Sequence, residues 1–171
     1  MTEVKNIFSI GDYIIDFENI YQISSQEDQQ DCSGKIQSYF FYKPIDTTGQ
    51  SVTTYSTPIG NIFKSGLRPL ITPDIVKKLY KEAEEKIDHD AILDYKSIKE
   101  TLYQNDPGKS LVILKQLFLE KEKVAEAFSR TNKEILESIL KHLTSEIAFV
   151  TEKPLDKVRE KLISLIQKSI K

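Results

Sequence analysis

Residues 65 to 80, "SGLRPLITPDIVKKLY", decide how this chain is organised, because a strand-like pattern ends and a helical one begins inside them. Thr72-Pro73-Asp74 is a helix start. A hydroxyl stands at the capping position, a proline fills the first helical position where no N–H is required, and an acid lies beside the positive end of the helix dipole. Ile75, Val76, Leu79, Tyr80 and Ala83 then recur at helical spacing and predict one apolar face. The change of period places a boundary between residues 1–71 and 72–171.

Working back from that boundary, short runs rich in Ile, Val, Thr, Tyr and Phe alternate with turn residues. Strands are expected at Phe8 to Asp16, Ile20 to Ile23, Ile36 to Lys43 and Ser51 to Thr57. Gly34, the run "PIDTTG", and then Pro58 and Gly60 separate or end them. Gly11 permits a tight turn or bulge in the first strand, and Asn19 tolerates a left-handed turn before the second. The polar run "SSQEDQQDCSGK", Ser24 to Lys35, reads as a solvated hairpin loop. Four short strands at this spacing describe a small, curled antiparallel sheet or partly open barrel. The last of them, "SVTTYST", has no central charge. At a sheet edge it would offer its free backbone groups to a strand from a partner.

Working forward, four more helices are expected. One covers about Asp90 to Tyr103, with Ile92, Leu93, Ile98 and Leu102 for burial. Another opens at Asp106-Pro107 and carries Leu111, Leu114, Leu117 and Phe118. A third, capped by Ser129, carries Ile135, Leu136, Ile139, Leu143 and Ile147. The last starts at Pro154, with Val158, Leu162, Leu165 and Ile166. None of these stripes suffices alone, so together they predict a helical bundle that buries them mutually, and an α+β chain overall.

Composition narrows the function. With 171 residues, 39% hydrophobic and 29% charged, the chain has ordinary globular composition. No apolar run approaches the roughly 20 residues that span a bilayer, and "MTEVKNIF" lacks the pattern of a secretory signal. These readings predict a soluble, cytoplasmic protein without a membrane partner. Cys32 is the only cysteine, and His89 and His142 are the only histidines, in no metal-ligand spacing. Phosphate-binding loops, dinucleotide fingerprints and nucleophile elbows are missing. The carboxylates alternate with lysines on helices, as in "KKLYKEAEEK", the pattern of a solvated face. A binding protein is expected, with no catalytic residue, metal, cofactor or small-molecule substrate.

In order and spacing, several stretches resemble the CarD family of bacterial transcription regulators, whose first domain also occurs in transcription-repair coupling factor. "FSIGDYIID" (Phe8, Gly11, Asp12) is similar to the family's opening F-x-x-G-D-x-V-V. "SYFFYKP" is similar to its next core strand, and "TTYSTPIGN" with "SGLRPLI" (Gly66, Leu67, Arg68) to its strand, turn and Gly-x-Arg closing segment. "YKSIKETLYQND" and "FSRTNKEILESILKHLTSEIA" follow its helices, so the similarity runs over most of the chain. The resemblance implies a Tudor-like barrel that binds the RNA polymerase β subunit through an exposed strand. It further implies a helical domain at the upstream edge of the promoter bubble. Position by position, the polymerase-facing strand would be Val52, Thr53, Thr54, Tyr55 and Ser56, and the basic positions kept toward DNA would be Lys96 and Lys133, binding phosphate without reading bases.

The departures matter equally. The family carries a tryptophan that wedges into the minor groove, whereas this chain has none and an ungapped match puts Ala91 there, beside Ile92. Alanine cannot offset the cost of unstacking bases. The two basic residues after the wedge become Leu93 and Asp94, arginines of the docking face become Gln30 and Ser56, and a turn glycine becomes Asn19. Residues 72–171 hold 19 Lys/Arg against 18 Asp/Glu, net +1, far from the basic surface of an independent DNA binder. Contact with promoter DNA is therefore expected to be weak and to depend on the polymerase. The alternative is a docking module whose helices recruit another protein and leave DNA untouched.

Overall fold

The computed structural model describes residues 8–17, 19–30, 34–45, 53–87 and 95–171, with the backbone alone at 95–97. The chain divides into two compact units, Met1–Leu70 and Ile71–Lys171. Among the described residues, the first holds a curled, five-stranded antiparallel sheet and the second holds helices, an α+β chain.

The strands are β1 (Tyr13–Ile15), β2 (Ile20–Gln30), β3 (Ile36–Pro44), β4 (Tyr55–Pro58) and β5 (Arg68–Pro69), in the spatial order β4-β3-β2-β1-β5. β1 is only three residues long because the chain before it is folded into a turn. Gly11 adopts φ +96°, the Ser9 N–H donates to the Asp12 carboxylate at 2.8 Å, and the Asp12 N–H donates to the Ser9 carbonyl at 3.1 Å. Such a φ is strained for any residue with a Cβ. At the next turn the Asn19 N–H donates to Asp16 Oδ1 at 2.7 Å, so an aspartate side chain closes the turn.

Two expectations are corrected. Ser24 to Gln30 is not loop but the second half of β2, in which Ser25 to Gln30 pair with β3 down to Gln30↔Ile36. A register shift between Ile23 and Ser25 marks a bulge there, and the Ser24 hydroxyl donates to the Phe41 carbonyl at 3.1 Å. Gln26 to Gln30 are all exposed, so a polar strand projects as an arm beyond its packed half. The last long strand is also shorter than expected. Pairing of β3 with β4 ends at Tyr42↔Tyr55. In that register Thr53 would lie opposite Pro44, which has no N–H to donate. Thr53 and Thr54 are exposed and outside the strand, and Val52 lies outside the described residues.

One side of the sheet carries the core of this unit: Phe8, Ile14, Tyr21, Ile23, Phe40 and Tyr42, closed by Ile62 and Leu67. Ile62 comes from a 3-10 segment, Ile59–Ser65, which ends at Gly66 in the left-handed conformation, φ +77°.

The helices are α1 (Pro73–Glu84), α2 (Tyr95–Gln104), α3 (Pro107–Val124), α4 (Arg130–Thr151) and α5 (Leu155–Ser169). Their starts follow the capping rule. Thr72 Oγ1 accepts from the Ile75 N–H at 3.4 Å, Asp106 Oδ1 from Lys109 at 2.9 Å, and Ser129 Oγ from Asn132 at 3.1 Å. Residues 88–94 fall outside the described set, and with them Ile92, Leu93 and the expected start of α2 at Asp90. Val76, Leu79 and Ala83 bury their stripe in α1, while Ile75 turns away and stays 40% exposed.

α3 packs on all four other helices, which explains why its buried positions are not confined to one stripe. Leu111, Leu114 and Leu117 are almost wholly enclosed, each contributing about 1.5–3 kcal/mol by burial. Lys115 lies among them. Its ammonium donates to the carbonyls of Glu82 at 2.7 Å and Glu85 at 2.5 Å, carbonyls left over at the end of α1. Burial holds its pKa below the ordinary lysine value. On α4, the enclosed Glu146 accepts the Ile71 N–H at 2.9 Å and so fixes the first residue of the helical unit.

Candidate docking edge

Among the described residues, β4 has β3 on one side and no strand on the other. The backbone groups on that second side are the ones an added strand would pair with. Because successive side chains point to opposite faces, Tyr55 and Thr57 share the core side of the sheet and Ser56 the reverse. Thr57 is buried and its hydroxyl shares a 2.9 Å hydrogen bond with the Tyr42 hydroxyl. Tyr55 and Ser56 are exposed.

Tyr55 is held by two other tyrosines. Its ring stacks on Tyr42, 17° from parallel with centroids 5.9 Å apart, and meets Tyr21 edge-on at 5.6 Å. Tyr21 also meets Tyr42 edge-on at 5.2 Å. Offset and edge-to-face pairs of this kind contribute about 0.5–1.5 kcal/mol beyond burial. The Tyr21 hydroxyl donates to Asp16 Oδ2 at 2.7 Å. A carboxylate is thereby held beside the aromatic group.

This environment changes two phenols. Burial, followed by the bond to Asp16, raises the Tyr21 pKa far above that of an ordinary tyrosine, and burial raises that of Tyr42. In both the neutral form is the one the fold prefers. Their contribution to stability is complete below the unfolded value of about 10 and is lost as pH rises beyond it. A 295 nm titration of the eight tyrosines should therefore show a late phenolate phase that Tyr21→Phe diminishes. A single phase near the ordinary value would contradict the arrangement.

The two basic positions lie on different helices. Lys133 is exposed in the first turn of α4, and Lys96 lies in the first turn of α2 with its side chain outside the described set. Ala91, at the wedge position, is also outside it. His142 is buried on α4. Gln30, at the far end of β2, is exposed and donates through its side-chain amide to the Gly34 carbonyl at 3.0 Å. Sequence reasoning missed Asp16, Tyr21 and Tyr42 as parts of this edge. Their alternation marked them as strand residues, but only the strand order brings them to β4.

Among the described residues, no group of three or more His, Cys, Asp or Glu side chains is placed to hold a metal ion, and no helix is long and apolar enough to cross a membrane. No family model matches the chain, and no curated protein matches it.

Proposed function

We propose that this chain regulates transcription by docking on the β subunit of RNA polymerase through β4, and that its helical unit then acts at the upstream edge of the promoter bubble. One observation carries the reading. The segment that resembles the CarD family's docking strand supplies an edge strand, with Tyr55 and Ser56 exposed on it. Main-chain hydrogen bonds to an added strand give affinity, and side chains on either face give selectivity. In this reading the curled sheet is the counterpart of the family's Tudor-like barrel, and the helices are the counterpart of its bundle. Lys96 and Lys133 serve as phosphate contacts made once the polymerase has delivered the protein to DNA.

The double variant Lys96→Glu/Lys133→Glu tests the DNA half of the proposal. It should bind polymerase as the parent does, yet lose most of the parent's effect on open-complex lifetime. The salt dependence of that effect should fall by about one phosphate contact per lysine. An unaltered effect would favour the second reading, in which the helices recruit another protein. That reading draws its support from the lack of any tryptophan and the near-neutral charge of residues 72–171.

A further inference from the structure

Tyr55 is placed to do more than pack. Tyr42 lies nearly parallel to its ring and Tyr21 meets it edge-on, yet 44% of the residue remains exposed, on the last strand of the sheet among the described residues. A residue directly opposite Tyr55 in an added strand would point to the same face, with its Cβ about 5 Å away. The partner's side chain at that position would therefore lie against the tyrosine.

Carboxylates lie on the Tyr55 side of the sheet. Asp16 is tied to the aromatic group through the Tyr21 hydroxyl. Asp28, opposite Ser38, is exposed on that same face farther along the arm formed by β2 and β3, whereas Glu27, opposite Tyr39, points to the reverse face. Lys43, on β3, alternates with Tyr42 and so points to the opposite face. Residues 1–70 hold 5 Lys/Arg against 8 Asp/Glu, net −3. An electron-rich ring near a carboxylate, on a negatively charged sheet, complements a cation.

We infer that the segment added to β4 carries an arginine or lysine opposite Tyr55, stacked on the tyrosine ring and attracted by the acidic sheet. The inference rests on the reading of β4 as the docking edge. It specifies the partner as an extended stretch of polypeptide with a single cation among β-forming residues.

The test uses the ¹⁵N-labelled full chain and two blocked peptides of nine alternating threonines and valines, one with arginine and one with glutamate at the centre. The amides of Tyr55, Ser56 and Thr57 are followed during titration. The arginine peptide should bind about tenfold more tightly at low salt, with the ratio shrinking as salt is added. Tyr55→Phe should keep that preference, Tyr55→Ala should remove it, and Tyr13→Ala on β1 should leave it unchanged. Equal binding of the two peptides would overturn the cation while leaving strand docking in place. If neither peptide moves these amides, the inference falls; the docking reading falls with it only if the β subunit also fails to bind.

Discussion

Replacing Tyr55 with aspartate should weaken binding to the RNA polymerase β subunit by about 30-fold or more, the loss expected when a central aromatic anchor is removed. Two effects act together. The substitution removes the ring that stacks on Tyr42 and meets Tyr21, and it sets a carboxylate on a sheet edge where an incoming strand would have to desolvate it. The α-helical circular dichroism should not change, because Tyr55 belongs to the compact unit that holds the sheet. Ser56→Pro is a useful second variant, since Ser56 lies within the β3–β4 ladder opposite Phe41 whereas Thr53 lies outside it. A proline there removes a backbone donor from the edge strand. Parental affinity in both variants would show that β4 is the wrong strand.

The second large effect concerns the helices. Lys115→Met keeps most of the apolar stem but removes the ammonium, leaving the Glu82 and Glu85 carbonyls at the end of α1 without that donor. Loss of charge-assisted hydrogen bonds in a buried place costs about 2–3 kcal/mol. Urea unfolding followed by helical dichroism should show a clear fall in midpoint. Lys121→Met, at an exposed position of the same helix, should stay within about 0.5 kcal/mol of the parent. Equal midpoints for the two variants would mean that the Lys115 bonds contribute little beyond what water supplies.

The parts of the fold that were legible in the sequence are those fixed by neighbours along the chain. Thr72, Asp106 and Ser129 announce their helices because a cap bonds a backbone N–H three residues on. The glycine at position 11 marks a turn because its φ is one that other residues resist. What escaped depends on distant partners. The polar half of β2 looks like a loop until β3 is laid beside it, since the ladder there satisfies backbone groups and not side chains. The length of β4 depends on Pro44, nine residues or more away in sequence from any residue it would pair with. Lys115 sits in an apolar run where its burial follows from the position of α1.

The candidate site divides along the same line. Tyr55 and Ser56 are strand-like by alternation, and the structure puts them on an edge. The resemblance groups Thr53 and Thr54 with them, but these two lie outside the ladder. The Tyr21–Tyr42–Tyr55 contacts, and the carboxylate of Asp16 behind them, required the cross-strand register.

The most direct measurement is equilibrium binding of the full chain to the immobilised RNA polymerase β subunit, with Tyr55→Asp run in parallel. The account predicts saturable binding by the parent and its loss in the variant. No binding by the parent, or equal binding by both, would contradict it.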